Sequence, residues 1–141
     1  YYNFPEQFKN KKEEKMRKVN TEKAPAAVGP YSQATVSKGL VYTSGQIPLD
    51  PAEGKIVGDD ITAQAQQAIR NLSEVLKASG SDLKSVIKTT CFIADMDDFA
   101  AFNQVYEQYF TEKPARSCVA VKTLPKNALC EIEAIAEAEN K

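Results

Sequence analysis

The sequence predicts an α+β fold, a mixed sheet with two helices on one face in the order β-β-β-α-β-α-β-β. Two segments carry apolar residues at helical spacing, and short runs rich in β-branched and aromatic residues lie before, between and after them. The length of 141 residues and the 43% hydrophobic content suit one folded domain. Because the second sheet face also carries apolar residues, we expect a closed oligomer to bury it.

The predicted strands before the first helix are short. Residues 35–47 contain two β-type runs on either side of a turn at Ser37-Lys38-Gly39. After a loop with prolines and a glycine, residues 56–57 are expected to add a third short strand.

The first helix is predicted to begin after Asp60, a favourable N-cap residue, and to stop at Gly80. Residues 86–94 predict a central strand. The helix carries an apolar stripe for one sheet face, formed by Ile61, Ala65, Ala68, Ile69, Leu72, Val75 and Leu76.

Asp97 or Asp98 is expected to cap the second helix. Residues 117–123 and 129–138 are the last predicted strands. The apolar face of the second helix is predicted to consist of Phe99, Phe102, Val105, Tyr106, Tyr109 and Phe110.

The charged stretch at residues 1–18 differs from the rest, and we expect an N-terminal extension there, followed by a single domain at residues 19–141. The four residues Lys-Glu-Glu-Lys before Met16 can be encoded by codons that resemble a bacterial ribosome-binding site. We therefore hypothesise that residues 1–15 are non-native, translated upstream sequence. The alternative is a real extension whose aromatic residues dock on a neighbouring surface. The intact mass of the protein made from its own gene tests this, and a start at residue 1 excludes the hypothesis.

Charge and composition restrict the function. The net charge of −1, without a basic cluster interleaved with aromatics, argues against a nucleic-acid partner. No segment approaches the roughly 20 apolar residues of a membrane span. Three cysteines without a CxxC pair, in a chain without histidine, leave no zinc site and are typical of reduced, buried thiols in a cytoplasmic protein. Cys118, close to Arg116, is the candidate for a thiolate nucleophile.

Arg116 and Glu131 are the main candidates for a site. Arg116 follows Pro114-Ala115 at the start of a predicted strand, and its planar fork suits a carboxylate. Glu131 and Glu133 share one face of the last strand, where two carboxylates raise a pKa unless a cation intervenes. If Arg116 lies opposite Glu131, the pair can hold a substrate carboxylate and a water together. The alternatives are a surface salt bridge at Arg116 and a solvated strand face at the glutamates.

Three other polar residues are candidates. Tyr31, in a turn, offers a phenol donor or a pocket wall, or packs in an ordinary way. Ser44 has no histidine partner, which excludes a Ser-His-Asp hydrolase and leaves a hydrogen-bonding or structural role. Asn103, within the second helix, either caps a backbone group or reaches a ligand.

Several ordered segments resemble the RidA family (reactive intermediate deaminase A, or YjgF-type proteins). The match runs from about Ala24 to Ala136. The linker Thr111-Glu-Lys113 is shorter than in several relatives, which leaves the shape of the cleft rim open. The matching segments are Ala24-Pro-Ala-Ala-Val-Gly-Pro-Tyr-Ser-Gln-Ala34, Tyr42-Thr-Ser-Gly-Gln-Ile-Pro48, Lys88-Thr-Thr-Cys-Phe-Ile93, Pro114-Ala-Arg-Ser-Cys-Val119, Leu124-Pro125 and Glu131-Ile-Glu-Ala-Ile-Ala136.

The resemblance implies a chorismate-mutase-like fold assembled as a homotrimer, with three clefts between subunits. It implies hydrolysis of 2-imino acids to 2-keto acids and ammonia, as by a 2-iminobutanoate/2-iminopropanoate deaminase, without metal or cofactor. Arg116 matches the position that binds the substrate carboxylate, and Glu131 matches the position near the hydrolytic water. The other positions that match the family's cleft are Tyr31, Ser44, Asn103 and the backbone of Cys118.

Two other functions stay open. The protein is alternatively a non-catalytic trimer that binds small carboxylic acids as a metabolite-responsive regulator. The third hypothesis is a ribonuclease or a translation inhibitor, since some relatives carry those names. The first two functions share the Arg116 cleft, and turnover separates them.

Overall fold

The computed structural model describes residues 15–139, which form a six-stranded sheet and two α-helices. The predicted α+β class is confirmed, and the order β-β-β-α-β-α-β-β is also found, although its three N-terminal strands include one at residues 17–19 in place of the one expected at residues 56–57. Within these residues, neither helix has the length and apolar character needed to cross a membrane. The strands are β1 (Arg17–Val19), β2 (Ala34–Ser37), β3 (Leu40–Thr43), β4 (Val86–Ile93), β5 (Ala115–Ala120) and β6 (Cys130–Glu137), and the helices are α1 (Ile61–Ala78) and α2 (Phe99–Tyr109).

The strands lie in the spatial order β1-β2-β3-β6-β4-β5. β4 and β5 are parallel, and the other neighbouring pairs are antiparallel. β4 and β5 are parallel because the crossover through α2 returns the chain to the end of the sheet at which β4 began, so β5 starts from the same end. β6, the last strand in the chain, lies between β3 and β4 and so takes a central position.

The short N-terminal strands differ in detail from the prediction. β1 pairs with β2 and begins at Arg17, before the expected domain boundary at residue 19. The strand expected at residues 56–57 is reduced to a single bridge between Leu49 and Ile56. Residues 1–14 lie outside the described residues, so the hypothesis about residues 1–15 stays a prediction.

Both helices form as their apolar spacing predicts. Asp60 Oδ1 accepts the Ala63 N–H at 2.8 Å and caps α1. Gly80 follows the helix end with a φ of 80°, a left-handed conformation that glycine adopts without steric cost. The whole predicted stripe of α1 is buried, and so are four residues of the predicted α2 face, namely Phe102, Val105, Tyr106 and Phe110.

The hydrophobic core lies between the helices and one face of the sheet. Burial alternates along β6, so that Ile132 and Ala134 are buried while Glu131 and Glu133 are only partly covered. The opposite face, which we call the open face, carries apolar side chains at Tyr42 (43% exposed), Val119 (47% exposed), Phe92 and Ile135.

Candidate functional site

Arg116 lies near the start of β5, on the helix-covered face of the sheet. It pairs in register with Thr89 of β4, which in turn pairs with Ala134 of β6. Thr89 and Ala134 are both buried. Because directly paired residues point to the same face, the register directs the Arg116 side chain toward α2.

Three side chains of α2 surround the Arg116 guanidinium. Asn103 Oδ1 accepts a hydrogen bond from Nη1 at 2.7 Å. The ring centroids of Tyr106 and Phe99 lie 4.8 Å and 5.5 Å from Cζ, within the range of cation–π attraction. Within residues 15–139, no carboxylate lies at salt-bridge distance from Arg116, which removes that alternative there. The bond to Asn103 uses one of the five N–H donors, so the fork keeps donors for a carboxylate.

The sequence interpretation missed the two aromatic contacts. The apolar spacing places Phe99 and Tyr106 on the apolar face of the second helix and says nothing of a contact with Arg116. Their spacing was the available signal, since Phe99, Asn103 and Tyr106 are at positions i, i+4 and i+7 and therefore share one side of α2. The Asn103 side chain accepts a hydrogen bond from the guanidinium and does not cap a backbone group.

Cys118 lies on the same face as Arg116, in register with Cys91 of β4. Burial raises the pKa of the Cys118 thiol, and the Arg116 charge offsets only part of this rise. Burial also raises the pKa values of Cys91 and Cys130 to about 12. The thiols therefore stay protonated near neutral pH, which disfavours Cys118 as a nucleophile.

Glu131 lies on the open face. It pairs with Phe92, whereas the residue of β6 level with Arg116 is Ala134. Positions 131 and 134 differ by an odd number, so their side chains point to opposite faces. The arrangement in which Arg116 lies opposite Glu131 is therefore wrong within one subunit.

The Glu131 side chain lines a cleft of about 360 Å³. Tyr31 forms part of its wall and is 53% exposed. Gly45 packs directly on the carboxyl group, because a Cβ added there would lie 2.7 Å from Glu131 Cδ. The cleft thus holds a carboxylate whose position depends on the absence of a side chain at Gly45.

A buried glutamine builds the wall beside Tyr31. Gln33 is 1% exposed; its Oε1 accepts the Thr21 N–H at 2.7 Å, and its Nε2 donates to the Pro25 carbonyl at 2.8 Å. These bonds fix the segment from Thr21 to Pro25 against the start of β2. Gln33 was not singled out from the sequence, where a glutamine beside a strand is an ordinary surface residue.

Ser44 has a structural contact. Its Oγ donates to the Ser32 carbonyl at 2.6 Å, and its backbone N–H donates to the Gln33 carbonyl at 2.9 Å. These bonds tie the end of β3 to the segment that leads into β2. The side chain is thus occupied beside the cleft, next to Gly45, and does not belong to the cleft lining.

The surroundings of Glu131 change the pKa of its carboxyl group. Burial raises the pKa of Glu131, and the charge of Glu133 raises it further. A carboxylate whose pKa is closer to neutrality is a stronger base in its ionised form. Within residues 15–139, the side chains form no group of three or more metal-ligating residues. The chain therefore carries a guanidinium with free N–H donors on the helix-covered face of the sheet and a carboxyl group of raised pKa on the open face.

Known proteins with similar sequences define the family. A family model described as endoribonuclease L-PSP matches residues 21–138. The chain belongs to this family, and the resemblance to RidA proteins is confirmed.

Three relatives illustrate the range of names in the family. A Lactococcus lactis protein named as a regulator, AldR, is 51% identical and covers 89% of this chain and 100% of its own length. The human 2-iminobutanoate/2-iminopropanoate deaminase is 46% identical, over 85% of this chain and 88% of its own. The crystal structure of E. coli TdcF with bound serine has a TM-score of 0.83 at 42% identity and covers 87% of this chain and 99% of its own.

Proposed function

We propose that this protein hydrolyses 2-imino acids and their enamine tautomers to 2-keto acids and ammonia, at clefts between subunits. One observation carries the proposal: a guanidinium held by α2 and a carboxylate of raised pKa lie on opposite faces of one sheet. Two such half-sites form one site when Arg116 of one subunit borders the Glu131 cleft of the next. The deaminase name of the human relative and the serine bound to TdcF support this reaction and a small carboxylate ligand.

A homotrimer is the assembly that we propose. The apolar side chains on the open face are the kind of exposed surface that subunit contacts bury. A head-to-tail interface repeated around a threefold axis closes a ring and joins each guanidinium half-site to a neighbouring cleft. Three equivalent sites follow from this geometry.

Arg116 binds the substrate carboxylate in the proposed mechanism. Asn103 holds one edge of the guanidinium, and the remaining N–H groups form a bidentate pair with the carboxylate. This pair places the imine carbon beside Glu131 and Tyr31 of the neighbouring subunit, and the backbone at Cys118 forms the floor. Fixed placement removes much of the entropic barrier to attack by water.

Glu131 moves the protons. Its carboxylate accepts a proton as the water oxygen attacks the imine carbon, which forms a carbinolamine. Glu131 returns this first proton to the imine nitrogen, which becomes the amino group of the carbinolamine. The carboxylate then carries the hydroxyl proton of the carbinolamine to the amino nitrogen, the carbon–nitrogen bond breaks, and ammonia leaves as the carbonyl forms. Water supplies the keto oxygen and two hydrogens of ammonia, and the imine N–H supplies the third, so no other reactant is needed. General base catalysis of this kind contributes roughly 10²- to 10⁴-fold.

A coupled assay tests the proposal. A threonine dehydratase generates the enamine and imine of 2-ketobutyrate, and the release of 2-ketobutyrate is followed with and without this protein. We expect faster release with the wild type and no gain with Arg116→Ala. Absence of any gain with the wild type rejects the deaminase function.

The name of the AldR relative favours a second candidate, a non-catalytic sensor of small carboxylic acids. This function uses the same Arg116 half-site but needs no base. A wild type that binds 2-ketobutyrate without accelerating its release identifies the sensor. Full activity in a Glu131→Gln variant removes Glu131 from the mechanism.

A further inference from the structure

We infer that Tyr106 and Thr89 are positioning residues that hold the Arg116 guanidinium ready for a carboxylate. The inference rests on the proposed carboxylate-binding role of Arg116. Neither residue needs to touch the substrate, because both act through the guanidinium.

The Tyr106 hydroxyl and Thr89 Oγ1 form a hydrogen bond of 2.7 Å. Thr89 is fully buried and Tyr106 is 7% exposed. Thr89 is also the β4 residue in register with Arg116. The bond therefore fixes α2 to the sheet at the level of the guanidinium, in a place that excludes water as a competing partner.

The Tyr106 ring is fixed by its neighbours as well. It stacks on Phe110 with centroids 4.3 Å apart and planes inclined at 23°, and it lies 6.0 Å from the Phe102 ring. A ring held in this way presents a constant face to the guanidinium, whose Cζ is 4.8 Å from its centroid. Burial raises the pKa of Tyr106, so the phenol stays neutral near physiological pH.

Contacts to the guanidinium face and contacts to its edge have different effects. The face of an aromatic ring attracts the guanidinium cation without accepting its hydrogen bonds, so the N–H groups stay free. A carboxylate partner would occupy those N–H groups. An unrestrained arginine loses rotamer freedom when it binds a ligand, and prior ordering reduces that loss. The Tyr106–Thr89 pair therefore increases affinity for the carboxylate without blocking its donors.

The test measures binding of 2-ketobutyrate by calorimetry, together with the NMR signal of the Arg116 Nε–H group. Tyr106→Leu is expected to weaken binding about tenfold. It should also move the Nε–H signal toward those of the exposed Arg70 side chain, because the ring current is lost. Thr89→Val and Tyr106→Phe keep the ring but remove the hydrogen bond, and we expect a smaller loss, about two- to threefold.

Val41→Ala is the control for lost core packing. Val41 is a fully buried residue of β3, and none of the side chains that surround the guanidinium lies on that strand, so its replacement destabilises the core without removing a contact from Arg116. We expect unchanged 2-ketobutyrate affinity and an unchanged Arg116 signal. An equal loss in Val41→Ala and Tyr106→Leu would show general destabilisation and overturn the inference.

The remaining outcomes separate the inference from the proposed function. Unchanged affinity and an unchanged Nε–H signal in Tyr106→Leu reject the positioning role. If Tyr106→Leu does not fold, the Thr89→Val and Tyr106→Phe variants test the positioning role instead. Wild-type affinity for 2-ketobutyrate in both variants rejects that role. If Arg116→Ala binds 2-ketobutyrate as tightly as the wild type, the proposed anchor fails. Even then, a shifted Arg116 Nε–H signal in Tyr106→Leu shows that the Tyr106 ring holds the guanidinium in place.

Discussion

Arg116 and Glu131 lie on opposite faces of the same sheet, although β5 and β6 both border β4. The guanidinium faces α2, and the carboxylate lines a cleft next to Gly45. One subunit therefore carries two separate halves of the proposed site. In the proposed assembly, an interface between subunits joins them.

The geometry of the guanidinium, and not only its charge, should determine activity. Arg116→Lys keeps the positive charge but loses the planar fork and the bond to Asn103. We expect kcat/KM for the imino acid to fall roughly 10- to 100-fold, the range of a lost charged hydrogen bond. Arg70→Lys, an exposed position on α1, is the control and should keep wild-type kcat/KM. Wild-type activity in Arg116→Lys would exclude bidentate binding.

The pH dependence should report the ionisation of Glu131. The base must be ionised, so kcat/KM falls as the pH drops through the pKa of Glu131. Burial and the neighbouring Glu133 charge both raise that pKa. Glu133→Gln removes the second cause and should move the acid limb to lower pH. Glu137→Gln, at the exposed end of β6, should leave the limb in place, and equal shifts in both variants would contradict the assignment.

A methyl group at Gly45 should displace the base. The added Cβ would lie 2.7 Å from Glu131 Cδ, so the carboxylate must move. We expect Gly45→Ala to lower kcat about 100-fold, as for a misplaced catalytic group, with little change in 2-ketobutyrate affinity at Arg116. In a Glu131→Ala background the same substitution should cost nothing further. A further loss there would mean that Gly45 acts in some other way.

A charge on the open face should disrupt the assembly. Val119 is 47% exposed and belongs to the apolar part of that face. Light scattering should give the wild type a mass of three times 15.5 kDa and Val119→Glu a smaller one. Activity should be lost together with the trimer. Met96→Glu, at an exposed residue in the turn before α2, should stay trimeric, and a monomeric but active wild type would contradict the shared site.

The sequence was informative where a pattern is local. The spacing of apolar residues predicted α1 and its buried stripe, and Asp60 predicted the cap, because both depend on neighbours within a few turns. The alternation in β6 likewise predicted that Glu131 and Glu133 share a face. β1 escaped prediction because Arg17–Val19 is too short and too charged to show a β pattern.

The relation between strands was not predictable in the same way. Alternation assigns side chains to one face or the other within a strand, but it does not relate the faces of β5 and β6. That relation depends on the insertion of β6 between β3 and β4 and on its register with β4. For the same reason, the contact between Tyr106 and Arg116 required the position of α2 over the sheet.

A mixture of two inactive variants tests the shared site most directly. Arg116→Ala and Glu131→Gln subunits are unfolded together, refolded, and assayed for imino-acid hydrolysis. When equal amounts of the two variants assemble at random, about a quarter of all interfaces combine an intact Arg116 from one subunit with an intact Glu131 from the next, so we predict about a quarter of the wild-type activity. A co-refolded mixture no more active than either variant alone, with wild type recovered by the same treatment, would contradict a site built from two subunits.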